Sequence, residues 1–125
     1  MYPIVGYFLF TNLGNGSLGA RYGNTRNVKL FAECAVRVSG NKVSDPFLGT
    51  YASAWLNSAA VTPGESVGPR LVITFKQGAS GGLYCLIWYN TEKLNIIQYY
   101  GEGMLSGNDL VGAYWSPDVK KMLGI

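Results

Sequence analysis

The sequence predicts an all-β fold: an eight-stranded antiparallel meander closed as a barrel or folded as a β-sandwich, with one short C-terminal helical turn. Three observations carry this. Hydrophobic runs of strand length recur along the chain, separated by clusters of Gly, Asn, Ser or Pro. The 125 residues include 17 Gly, 9 Tyr, 5 Phe and 3 Trp, a balance that favours sheet over helix. A turn-and-strand signature also occurs twice. Ser39-Gly40-Asn41 precedes Leu48-Gly49-Thr50-Tyr51-Ala52-Ser53, and Ser106-Gly107-Asn108 precedes Val111-Gly112-Ala113-Tyr114-Trp115-Ser116.

Strands are expected at 3–11, 17–22, 28–38, 47–56, 70–77, 83–90, 94–105 and 109–116. The first run, through Tyr7-Phe8-Leu9-Phe10, lacks a basic leader and a small-residue cleavage site, so it reads as a strand rather than a signal peptide. Residues 12–16 close its hairpin. The third run alternates most clearly. Val28, Leu30, Ala32, Cys34, Val36 and Val38 share the apolar face, while Lys29, Glu33 and Arg37 share the other with Phe31 and Ala35. Glu33 is expected in a surface ion pair with Lys29 and Arg37. Gly40-Asn41-Lys42, residues 78–82, Thr91-Glu92-Lys93 and Gly107-Asn108-Asp109 supply the next turns, because Gly, Asn and Asp tolerate positive φ. One long connection, 57–69, contains Thr62-Pro63-Gly64. Ser116 suits an N-cap, Pro117 the first helical position and Asp118 the helix dipole.

Residues 1–125 read as one domain, long enough to bury a core without metal or disulfide staples. Closure would remove the edge strands of so apolar a chain. A jelly roll fits less well, since it needs longer crossing connections. Strands six to eight are apolar on both faces: Leu83, Cys85, Ile87 and Tyr89 alternate with Tyr84, Leu86 and Trp88. Two apolar faces call for a second covering layer. With no helix long enough to supply it, a second copy is the expected cover and the chain a homo-oligomer. A patch for a different partner is the competing reading.

Charge and residue types exclude several classes. The net charge is +3 and the basic residues are scattered, which argues against nucleic-acid binding. No transmembrane segment is expected. Cys34 and Cys85 lie in apolar runs and are expected as buried thiols, with a disulfide as the alternative. Compartment stays open. The chain has no His, which removes histidine triads and histidine metal sites. No metal or cofactor is expected, since C-x-x-C spacing is absent and the Gly-rich stretches do not open helices. Glu102 lies between Gly101 and Gly103, on one face with Gln98 and Tyr100. If that face is interior, it is a candidate ligand contact; otherwise it is an outward polar residue.

Two stretches resemble known sequences. Tyr84 to Tyr114, with Tyr100-x-Gly-x-x-Leu-x-Gly-Asn-x-Leu, is similar to an uncharacterised bacterial β-repeat that implies no activity. Gly49-Thr50-Tyr51-Ala52-Ser53-Ala54-Trp55-Leu56-Asn57 resembles the Gly-Thr-Tyr-x-Ser-Ala-x-x-Asn stretch of the avidin family. That resemblance implies a calycin-like eight-stranded barrel whose strand offers Tyr51 and Ser53 to a ligand.

The function expected from these readings is a non-catalytic, oligomeric β-barrel binding a small, partly apolar ligand. Its expected contacts are Tyr51, Ser53, Trp55, Tyr100, Glu102 and Tyr114. The alternative is a structural subunit of a capsid, shell or fibre. A third reading makes Glu102 the acid or base of an enzyme.

Overall fold

Period-two alternation of large apolar side chains is obeyed along nearly every strand, and this closes the sheet around them. In the computed structural model the described residues are 4–39, 45–56, 67–90 and 96–122; the side chains of 27–29, 55–56, 67–70 and 120–122 fall outside the description. The strands are β1 (Val5–Gly14), β2 (Ser17–Asn24), β3 (Asn27–Ser39), β4 (Gly49–Leu56), β5 (Val67–Gln77), β6 (Leu83–Asn90), β7 (Ile97–Ser106) and β8 (Asp109–Trp115). Each pairs antiparallel with its sequence neighbours, and β1 pairs with β8, so the meander is a closed barrel without free edges. The sandwich and jelly-roll alternatives are thereby set aside. Among the described residues every strand belongs to this one ring.

Turn chemistry sets the register. Asn15 and Gly16 both take positive φ, at 54° and 76°, between the paired residues Gly14 and Ser17. Two positive φ values make the tight turn whose twist matches that of the strands. Gly107, at φ 62°, opens the corresponding turn between β7 and β8.

The interior is packed with side chains. Phe10, Leu18, Ile73, Phe75, Leu86 and Leu110 are among those buried at its centre. Phe10 and Phe75 meet edge to face at 5.3 Å. Glycines on β7 make room for the largest rings. A Cβ on Gly101 would lie 2.8 Å from Trp88 Cζ3, and one on Gly103 would lie 2.9 Å from Leu110 Cγ. The Gly-x-Gly around Glu102 is therefore a packing device.

The helix α1 (Pro117–Met122) follows β8 directly. Ser116 begins it, with the Val119 N–H donating to the Ser116 carbonyl. The Ser116 hydroxyl does not cap the helix as expected. It accepts from the Ile4 N–H at 2.9 Å, and the Ser116 N–H donates to the Ile4 carbonyl at 2.8 Å. The helix start is thus tied to the beginning of β1. Among the described residues no helix is long and apolar enough to cross a membrane.

Two expectations fail on β3 and β6. The β3 face carrying Leu30, Cys34, Val36 and Val38 points outward, and Val38 is 62 % exposed. The face carrying Phe31, Glu33, Ala35 and Arg37 is interior. Glu33 is only 5 % exposed and is no surface ion pair. Hydropathy favours the opposite orientation, but specific partners for Glu33 and Arg37 inside the barrel outweigh it. Cys34 and Cys85 are both free and exposed, because each alternates out of phase with its strand's inward residues. They are neither buried thiols nor a disulfide.

Candidate functional site

In an up-and-down barrel successive turns fall at opposite ends, and here the two ends differ. The β1–β2, β3–β4, β5–β6 and β7–β8 connections share one end. That end is plugged. Phe47, from the segment before β4, is fully buried against Phe75 and Tyr84. Asp45 fixes the plug: its Oδ1 accepts the Phe47 and Leu48 N–H groups at 2.8 and 2.9 Å, and its Oδ2 accepts the Tyr84 hydroxyl at 2.7 Å. Burial works against ionisation of Asp45, but these hydrogen bonds and the Arg37 charge hold its pKa below the usual carboxylate value. The same bond to Asp45, added to burial, pushes the Tyr84 phenol up. Arg37 Nη2 donates to the Tyr51 hydroxyl at 2.8 Å and to the Pro46 carbonyl at 3.2 Å. The guanidinium also stands over the Tyr51 ring, 5.3 Å from its centroid.

Among the described residues the opposite end carries no such plug, and it holds a cavity of about 380 Å³. Its size falls within the range of small-molecule sites, roughly 300–1,000 Å³. The walls are aromatic. Tyr22 stacks on Phe31 at 5.5 Å, Tyr99 meets Tyr114 edge to face at 5.3 Å, and Trp88 packs against Phe8 at 6.0 Å. Ile4 adds an apolar flank and Arg26 stands exposed at the rim. Asn24 bridges the wall to the β2–β3 turn. Its Oδ1 accepts the Arg26 N–H at 2.9 Å and its Nδ2 donates to the Tyr114 hydroxyl at 3.1 Å.

Glu33 is the one carboxylate among the described residues lining this cavity. The Ser53 hydroxyl, from the neighbouring strand, donates to its Oε2, and the Trp88 indole N–H approaches the same oxygen at 3.4 Å. These donors come from β4 and β6, so the carboxylate ties opposite sides of the barrel together. Burial raises the Tyr22 phenol pKa, and the Glu33 charge raises it further. Tyr114 is pushed up to about 12, mainly by burial. Both hydroxyls remain protonated at neutral pH, able to donate or accept a hydrogen bond.

The expected contacts are divided by this geometry. Tyr51, Ser53 and Tyr114 are interior. Tyr114 lines the cavity and Ser53 holds its carboxylate, but the Tyr51 hydroxyl belongs to Arg37 at the plugged end. The repeated Gly-x-Tyr thus turns a tyrosine inward on both strands, yet at opposite ends of the barrel. Tyr100 and Glu102 alternate with the inward Gly101 and sit on the outer face, where Glu102 is exposed opposite Cys85 and Ala113. The Trp55 backbone pairs with Glu33, and its side chain lies outside the described residues, as does Asn57. Trp88 joins the site as one of the strand aromatics able to line an apolar pocket, whereas Tyr22, Glu33 and Tyr99 complete it with no sequence feature that marks them as contacts. The usable signal was the period-two phase of each strand, which puts Trp88 in step with Tyr84 and Leu86.

Among the described residues no group of His, Cys, Asp or Glu side chains could hold a metal ion. No protein-family model matches the chain, and neither a curated protein nor a solved structure matches it.

Proposed function

We propose that the protein is a non-catalytic, calycin-like binding barrel whose cavity opposite the plug holds a small, partly apolar ligand. The carrying observation is the asymmetry of the two ends. Among the described residues one end is plugged by Phe47, with a polar recess of about 670 Å³ outside the plug; the other has no such plug and keeps a cavity of about 380 Å³ walled by aromatic rings with polar atoms at its edge. Apolar walls with a few placed polar groups are the usual composition of a small-molecule site. Glu33 is the one carboxylate among the described residues lining the cavity, so these residues hold no acid pair of the kind a glycoside hydrolase uses. The Glu33 Oε2 accepts from Ser53 and Trp88, which suits orientation of a ligand more than proton transfer. A small-molecule library followed by heteronuclear NMR tests the reading. Hits are expected to shift the Trp88 indole signal and to compete with one another. Hits confined to outer-face residues such as Val36 would sink it.

The outer surface supports a second element of the proposal, self-association. Leu9, Val111 and Met104 stand side by side across β1, β8 and β7, with Tyr7 and Val5 on the same face. Tyr7 is 55 % and Met104 58 % exposed. A closed barrel offers no strand edge, so copies would associate face to face through this stripe. The same surface is what a shell or fibre subunit would use.

A further inference from the structure

We propose that the cavity opposite the plug selects a small organic cation: an ammonium group carried on an apolar or aromatic body. The inference rests on the reading of this cavity as a ligand site and adds the sign of the ligand's charge.

The walls supply the first argument. Tyr22, Phe31, Trp88, Tyr99 and Tyr114 line the same space, with Phe8 deeper in. Aromatic faces carry negative quadrupole density and attract cations, indole most strongly. Such rings also pack against an apolar body, so one enclosure serves both parts of an amphipathic amine. The rings are mutually fixed by edge-to-face and stacked contacts, as in Trp88 with Tyr114 at 5.9 Å and Tyr22 with Phe31 at 5.5 Å. Little ordering is then required when a ligand enters.

The placement of charge is the second argument. Glu33 is buried within the cavity, whereas Arg26, the cation among the described lining residues, is exposed at the rim. Charge interactions strengthen where water is excluded and are screened where it is not. The Arg26 charge is felt at Tyr99, but among the described lining side chains the buried charge is the Glu33 carboxylate. Its reach is visible on neighbouring groups, since the Glu33 charge disfavours the phenolate at both Tyr22 and Tyr114. An anionic ligand would meet the same repulsion as those phenolates. Glu33 has partners besides Ser53 and Trp88. A carboxylate offers about four acceptor sites, so an ammonium would share it with these donors. The Tyr114 hydroxyl, which accepts from Asn24, has a second lone pair to offer a ligand N–H group.

Three probes of one shape separate the possibilities: phenethylammonium, phenethyl alcohol and phenylacetate, each titrated into the full-length wild-type protein with the Trp88 indole resonance as reporter. The ammonium is expected to bind roughly tenfold more tightly than the alcohol, with phenylacetate weakest. Equal or tighter binding of the alcohol or of phenylacetate would overturn the charge inference while leaving the cavity a ligand site. If none of the three shifts Trp88, the cavity reading fails as well. Glu33→Gln should bring the ammonium and the alcohol to within about twofold of each other. A tenfold preference surviving in that variant would remove the role given to Glu33. Should Glu33→Gln not fold, Tyr99→Leu serves: it keeps the carboxylate, removes one wall ring, and is expected to weaken the ammonium several-fold more than the alcohol. Equal weakening of both would count against the cation.

Discussion

The Ser53 hydroxyl donates to the Glu33 carboxylate across the β3–β4 ladder, one step off the directly facing pair, since Ser53 stands opposite Ala35. Both residues are buried, at 4 % and 5 % exposure. A buried carboxylate depends on its donors for solvation. Ser53→Ala removes one of them and leaves a small void. The expected cost is about 1–3 kcal/mol, read as a lower urea midpoint at unchanged slope. An unchanged midpoint would show that this bond contributes nothing net and that the other partners of Glu33 suffice.

Interior glycines on β7 are expected to be irreplaceable for a steric reason. A Cβ at Gly101 would meet the Trp88 ring at 2.8 Å and the Ala113 carbonyl at 3.0 Å. Gly101→Ala is expected to cost about 1–3 kcal/mol by overpacking and to shift the Trp88 indole resonance. Gly81 has nothing within 4 Å of an added Cβ. Gly81→Ala should change stability by no more than about 0.5 kcal/mol. Equal effects at the two positions would contradict the packing assigned to Gly101.

Acid stability should report on the plug. Burial opposes the Asp45 charge, but the Leu48 and Phe47 N–H groups, the Tyr84 hydroxyl and Arg37 lower its pKa on balance. A carboxylate with a depressed folded value contributes stability that is present above its unfolded value, about 4, and is lost as pH falls through the folded value. Thermal melts from neutral pH downward should show Asp45→Asn less stable than wild type at pH 7. The gap should narrow below pH of about 4. A gap that stays constant with pH would show that the carboxylate's charge is not what holds Phe47 in place.

The meander was legible because its information is local: turn residues at Asn15-Gly16 and Gly107, and period-two runs such as Tyr84, Leu86 and Trp88. The site was less so. On β3 hydropathy marks Leu30, Val36 and Val38 as the inward face, yet Glu33 and Arg37 go inside. Their partners Ser53, Trp88, Tyr51 and Pro46 lie on other elements, at separations that no single-strand pattern records. Glu102 left two readings open, an inward ligand contact or an outward polar residue, and the phase of β7 gives the second. Its flanking glycines suggested a special site, but those glycines are inward gaps filled by Trp88 and Leu110, which turn Glu102 outward.

The outer stripe yields a prediction about assembly. Leu9, Val111 and Met104 are adjacent in register, and a sheet face of this kind in water is destabilising unless covered. Light scattering on the wild-type chain should give a mass above the 13.5 kDa of a single copy. Val111→Lys combined with Met104→Lys should lower that mass to one copy without unfolding the barrel, because both side chains point away from the interior. Val36→Lys, on β3 away from this stripe, should leave the mass unchanged. A wild-type monomer would remove both self-association and the shell or fibre reading. An oligomer insensitive to the double substitution but broken by Val36→Lys would move the interface to β3.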